Sequence, residues 1–262
     1  MTSRERILSA VAHTEPDRLP IDLGSTSSTS IQGVAYHKLR SHLGLVDKPI
    51  RTFDVLLQLA EVDPDVLDCI GSDAINGGQG YDEQWKEATL SDGWPCLIPS
   101  WVNIKRHGNE WIILNDEGDI VARRVEQGEG FSQTCWPLAC DDWTQYLNDL
   151  PGQGRRICWR TVPEPIYHGP LDDAHLARMA DHLKNLHETS DRAIVMQVGG
   201  ALFAVAGGFR RLDNLLMDMA ADRPSVEAFL DRLVESHLQR LGKLLPAYGR
   251  PVSYTHLTLP TN

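Results

Sequence analysis

Apolar positions along this chain follow two rhythms, one helical and one short and continuous, and their alternation sets the expected architecture. Ile7, Leu8, Val11 and Ala12 share one face of an opening helix. Thr2 and Glu5 stand at capping-box spacing before it, and Glu15-Pro16-Asp17 ends it. Residues 19–23 form a short apolar run that predicts a buried strand, with Pro20 at the entry where a missing N–H is tolerated. Gly24 opens a polar loop that runs through Ser30. The pattern then predicts helices over 31–43, with Val34, Leu39 and Leu43 inward, and over 52–62. A third, over 64–70, has Asp63 as N-cap, Pro64 at its first position and Gly71 at its close. Residues 73–76 read as a second short strand before Gly77-Gly78.

From Trp85 to Pro137 the character changes. Turn signals recur at Ser91-Asp92-Gly93, Arg106-His107-Gly108-Asn109 and Asn115-Asp116-Glu117-Gly118, with short apolar runs between them. This predicts antiparallel hairpins forming a patch of their own. A short helix is expected over 141–147 and a Pro/Gly-rich connection over 150–170. The βα rhythm resumes with a helix over 171–189, a continuous apolar strand over 193–198, a Gly199-Gly200 turn, and helices over 202–220 and 224–248. Strands 19–23, 73–76 and 193–198 are expected to lie side by side, parallel and in that order, with helices outside. The last residues, PVSYTHLTLPTN, contain no acid, lysine or arginine, unlike all that precedes them. They read as a non-native tail over 251–262 on a domain of 1–250. Its β character allows it to add to an open sheet edge by default, but poor local order and few buried contacts are expected there.

Composition narrows the function classes. Among 262 residues, 25 are basic and 36 acidic, a net charge of −11, which argues against nucleic acid or an anionic membrane as partner. No run approaches the roughly 20 apolar residues a membrane helix needs. The N-terminal segment lacks the apolar stretch of a signal peptide. The five cysteines (69, 96, 135, 140 and 158) are odd in number and lack a C-x-x-C pair, so a reducing, cytoplasmic setting fits best.

Four segments carry a resemblance to one family: Glu15-Pro16-Asp17-Arg18-Leu19-Pro20-Ile21-Asp22-Leu23-Gly24; Ile70-Gly71-Ser72-Asp73-Ala74; Asn115-Asp116-Glu117-Gly118 with Trp136-Pro137-Leu138-Ala139; and Val198-Gly199-Gly200-Ala201-Leu202-Phe203. In order and spacing the chain resembles the uroporphyrinogen decarboxylase superfamily, in its methyltransferase-like branch. The resemblance implies an α/β fold, a partial TIM-type (β/α) barrel of about three N-terminal strands with an antiparallel hairpin insert near 85–137. It also implies a chain that breaks off near Arg250, and an active site at the carboxyl ends of the strands.

The departures bear on chemistry. True uroporphyrinogen decarboxylases follow the first strand with two arginines, and Ser25 to Thr29 holds none. A substrate with eight carboxylates needs cationic clamps, which hydroxyls do not replace. The family's tyrosine after strand three falls near Gly208 and is absent, while its essential aspartate matches Asp73. The branch's corrinoid-linked enzymes use zinc held by His-x-Cys and a later Cys, a pattern that does not occur in this chain. His175, His182 and His187, at spacings of seven and five, read as surface residues rather than ligands. No metal or cofactor is assigned to this chain; zinc and a corrinoid protein are what the resemblance allows for an intact parent.

The candidate catalytic residue is Asp73, placed at a strand end where it can polarise a substrate or accept its protons. Candidate substrate-binding residues are Asp22, Ser25, Thr26, Gln197, Gly199, Gly200 and Phe203. Asp22 has Arg18 as an alternative, structural partner. Gln197 is the polar exception in an apolar strand and is expected to face the barrel lumen. Arg210-Arg211 is a weaker anion-site candidate. Three functions remain open: for an intact form, a corrinoid-linked methyltransferase-like enzyme acting on a small methylated compound, or a porphyrinogen decarboxylase; and, as the leading expectation for the chain as it stands, an inactive fragment or binding module.

Overall fold

Thr2 caps the first helix as its spacing predicts: its side chain accepts from the Glu5 amide while the Glu5 carboxylate accepts from the Thr2 amide. A computed structural model describes residues 1–78, 84–125, 130–154, 156, 171–199, 201–249 and 251–257. The helices are α1 (Ser3–Val11), α2 (Gly33–His42), α3 (Pro64–Ile70), α4 (Leu150–Gly154), α5 (Asp173–Thr189), α6 (Leu202–Arg210), α7 (Leu212–Ala221) and α8 (Arg223–Tyr248). The strands are β1 (Ile50–Asp54), β2 (Leu59–Ala60), β3 (Ala74–Asn76), β4 (Trp85–Thr89), β5 (Pro95–Pro99), β6 (Asn103–His107), β7 (Glu110–Leu114), β8 (Ile120–Val125), β9 (Ser132–Gln133), β10 (Ala193–Gly199) and β11 (Tyr254–Leu257). They form three sheets, ordered β2-β1-β5-β4, β11-β10-β3 and β6-β7-β8-β9. The fold is mixed α/β, and among the described residues no sheet closes into a barrel.

The chain divides into two compact units. The first takes its described residues from Met1–Trp101, Pro170–Gln197 and Lys243–His256, the second from Val102–Gly169, Val198–Gly242 and Leu257–Asn262. In the second unit β6 to β9 form an antiparallel meander, as the turn signals predict. Its core gathers Leu138, Trp143, Val205, Phe209, Leu215 and Phe229, with Phe229 meeting Trp143 and Phe209 edge to face. The expected helix over 202–220 is broken at Arg211, whose φ of 68° ends α6 and starts α7. Among the described residues no helix is long and apolar enough to cross a membrane.

The first unit holds the parallel pairing that the pattern predicts: β3 and β10 are neighbours, with Ala74 opposite Ala193 and Asn76 opposite Val195. Several expectations fail there. Residues 19–23 form no strand; Leu19 is 85% exposed, and the Ile21 backbone bonds to Asp73 instead of a ladder. The Asp73 carboxylate and the Ser72 hydroxyl take the Ile21 and Leu23 amides that a neighbouring strand would otherwise pair. Residues 52–62 are not a helix but lie across β1, a turn and β2, because β1 gains a parallel partner in β5 and an antiparallel one in β2. Tertiary pairing overrides the helical spacing of Leu56, Leu57 and Ala60. The same β5 pairing ties the β4–β5 hairpin to β1, so the hairpins of 85–137 do not make one separate patch. The inward face of α2 is Gly33, Tyr36 and Arg40 rather than Val34, Leu39 and Leu43. Asp63 stands at the N-cap of α3, but its carboxylate is engaged by Tyr36, Arg40 and Lys48.

Candidate functional site

Side chains alternate across a strand, so the β3–β10 register sorts them onto two faces. Ile75, Ile194 and Met196 share one; Asn76, Val195 and Gln197 share the other. Gly77 identifies the helix-covered face. A Cβ there would strike Met196 Sδ and come within 2.9 Å of Ile194 Cγ2 and of Leu183 Cδ2 on α5. Helix α5 therefore backs the Ile194–Met196 face, and Asn76 and Gln197 stand on the opposite one.

The hydroxyl-rich loop closes on this second face. Ser27 donates to Gln197 Oε1 twice, from its amide at 3.0 Å and its hydroxyl at 2.9 Å. The loop is shaped locally. Exposed Asp22 accepts from the Ser25 amide at 3.2 Å and the Ser25 hydroxyl, and Thr26 caps a single 3-10 turn over Ser27–Thr29. Ser25 and Thr26 are buried. The loop is then strapped to β2, as Ser30 Oγ donates to Ala60 O and the Ala60 amide donates to Ile31 O. The result is a cluster of hydroxyl and carboxamide groups near the carboxyl end of β10, with one carboxylate, Asp22, at its exposed rim. Such a set donates and accepts hydrogen bonds to a polar group and carries no cation for an acidic one. Asn76, whose Oδ1 accepts from the Gly78 amide, shares this face; the sequence pattern marks it only as a strand end.

Asp73 needs a correction. It precedes β3 rather than ending a strand, level with the start of β10. Gln197 stands five residues further along, about 16 Å at 3.3 Å per residue. Asp73 is fully buried, and its oxygens are occupied. Arg6 Nη1 donates at 2.5 Å, Arg18 donates through Nη1 at 2.7 Å and Nη2 at 2.9 Å, and the Ile21 amide donates at 2.9 Å. Burial pushes its carboxyl up, but the Ile21 amide, Arg18, Ser3 and Arg6 outweigh that and hold it below the usual carboxylate range. Arg6 also pairs with Asp17, which joins the start of α1, the 17–21 segment and the start of β3. This is a structural clamp. Arg18 belongs to it, so the partner of Asp22 is Ser25 and not Arg18.

Of the remaining candidates, Gly199 ends β10 with φ of 79°, a left-handed conformation that favours glycine. Gly199 and 43%-exposed Phe203 belong to the second unit, while Asp22, Ser25, Thr26 and Gln197 belong to the first. Gly200 lies outside the described residues, as does Cys158. Arg210 is buried, bonded to Asp218 and to the Leu138 and Cys140 carbonyls, and Arg211 pairs with Asp213 over the Trp136 ring. His187 is not a free surface residue: it lies between Arg4 Nη1 and the Pro251 carbonyl. His175 and His182 are half-buried. Among the described residues no group of three or more His, Cys, Asp or Glu side chains could hold a metal ion.

One titratable group escaped the sequence reading. Asp54, at the end of β1, is 1% exposed. Burial raises its carboxyl to about 6, against the pull of the Leu57 and Leu56 amides. An acid inside the apolar run Phe53 to Leu57 was the signal for it.

The chain matches no protein-family model, no curated protein and no solved structure in the comparisons made with each.

Proposed function

We propose that β3, β10 and α5 belong to a TIM-type barrel of the uroporphyrinogen decarboxylase superfamily, and that the protein works in its methyltransferase-like branch. In this reading it binds a small methylated compound and hands the methyl group on with a corrinoid protein as partner. The observation that carries it is the parallel β3–β10 pair. A helix backs one face, and uncharged hydrogen-bonding groups stand on the other near the carboxyl end of β10, where barrel enzymes place their chemistry.

The choice of branch rests on charge. A porphyrinogen with many carboxylates calls for guanidinium clamps. Arg18 and Arg40, the arginines nearest the loop in sequence, are both engaged, Arg18 with Asp73 at the other end of the strands and Arg40 with Asp63 and Asp65. Ser25, Thr26, Ser27 and Gln197 suit a neutral polar group. Zinc, which the branch's thiol-methylating enzymes use, finds no donor set among the described residues, and no step is assigned to it. The loop residues bind and orient; Asp22 at the rim accepts hydrogen bonds from Ser25 and fixes the loop's shape.

The test uses the purified protein in two incubations. One contains uroporphyrinogen, with products read by their loss of carboxylates. The other contains a methylated corrinoid protein and a thiol, with demethylation followed by the corrinoid's visible spectrum. The expected result is a spectral change that depends on the protein and no decarboxylation. Decarboxylated product, or no reaction in either incubation, overturns the proposal.

A further inference from the structure

Asp54 ends β1 at the tight turn to β2, and two other segments lean on that turn. Its Oδ1 accepts from the Leu57 amide at 3.0 Å. The next residue, Gln58, holds a φ of 54°, a left-handed conformation that a residue with a side chain adopts only at a cost. The Gln58 carbonyl accepts from the Gly33 amide at the start of α2, at 2.8 Å. Its side-chain Oε1 accepts from the Ser91 amide in the β4–β5 hairpin turn, at 3.1 Å. The residue that fixes this hub is a buried carboxylate that makes no ion pair among the described residues.

We propose that Asp54 is a proton-dependent latch: protonated, it holds the 54–58 turn closed, and ionised, it loosens that turn and with it the Gly33 and Ser91 attachments. The elements packed against β1 carry other charged and titratable groups. His37 is held by Asp92 and stacked on Trp94, and Arg40 is held by Asp63 and Asp65. Arg51 faces Glu61 at 3.6 Å. Buried Tyr36, with Lys38 and His42, on α2 and Cys96 on β5 complete the set among the described residues. None of these contributes to the shift at Asp54, whose causes are burial and two backbone amides. Burial of an unpaired charge is therefore the driving force, and opening the turn to water relieves it.

The sign follows from linkage. The folded carboxyl is raised from 3.8 to about 6. Its contribution is fully present below 3.8 and is lost as pH rises through about 6. Two units correspond to a roughly hundredfold change in the equilibrium that the proton controls.

Amide hydrogen exchange of the whole chain, corrected for intrinsic rates, tests this between pH 4.5 and 8. Protection of the Leu57, Gly33 and Ser91 amides is expected to fall at least tenfold across that range in the wild type. In Asp54→Asn, which keeps the acceptor oxygen, it is expected to stay flat. A flat wild-type profile, or an equal fall in the variant, overturns the latch. Should the variant not fold, the wild-type Asp54 carboxyl carbon is followed by NMR. A midpoint near 6 supports the proposal, and one in the ordinary carboxylate range overturns it.

Discussion

Replacing Asp73 with asparagine keeps the shape of the side chain and removes the charge that two guanidinium groups converge on. In the native protein the carboxylate is fully buried and accepts from Arg6, Arg18 and the Ile21 amide. Breaking a buried ion pair by removing one partner costs about 3–5 kcal/mol, because the remaining charge stays in a poor solvent. Two features place this site at the lower end. The Arg18 side chain is 42% exposed and can turn to water, and Arg6 keeps its bond to Asp17. The expected loss is therefore about 3 kcal/mol, or roughly 6–12 °C in melting temperature for a chain of this size. Urea unfolding followed by tryptophan fluorescence measures it, and hydrogen exchange over residues 1–23 shows whether the loss starts there. The folded carboxyl is depressed, so its contribution is present above the unfolded value of 3.8 and disappears as pH falls through the folded one. The gap between wild type and variant should thus be constant at neutral pH and close only in acid. A loss under about 0.5 kcal/mol at neutral pH would refute the clamp, since that is the range of unremarkable surface changes.

Other perturbations probe the rest of the first unit. Gly77→Ala drives a methyl into Met196, Ile194 and Leu183 and should cost about 1–3 kcal/mol by overpacking, read as a drop in the urea midpoint. Gln197→Leu strips the acceptor from the Ser27 amide and hydroxyl; about 1–3 kcal/mol should be lost, with exchange at Ser27 rising and the rest of β10 unaffected. Deleting residues 251–262 removes β11 from the β10 edge, along with the Ser253 bonds to Ile194. Concentration-dependent association by light scattering is expected to rise, because an uncovered edge pairs with other chains. A large loss of cooperative unfolding on that deletion would instead make the segment native structure.

Where backbone rules act locally, the sequence decided the outcome alone. The capping box of Thr2 and Glu5, Pro64 opening α3 with Gly71 closing it, and the hairpin turns are set by neighbours a few residues apart. The parallel β3–β10 pair and helix α5 were also legible, because a continuous apolar strand and an amphipathic helix are strong patterns. The hydroxyl loop and Gln197 could be named as candidates from composition, but that Ser27 clasps Gln197 is a contact across 170 residues. Tertiary structure decided the rest, and in each case a distant partner outbid a local preference. Residues 52–62 fold back as β1 and β2, held by the Gln32–Leu59 bridge and by β5 along the adjoining Ile50 and Arg51, and residues 19–23 lost their ladder to the oxygens of Ser72 and Asp73. Asp73 itself read as a reactive acid because its residue type and position allow one. Only the fold reveals that Arg6 and Arg18, distant in sequence, meet on its carboxylate, while Asp54 is left buried with no cation beside it among the described residues. A charge is defined by what surrounds it, and the surroundings of a buried carboxylate are assembled from segments that no local pattern connects.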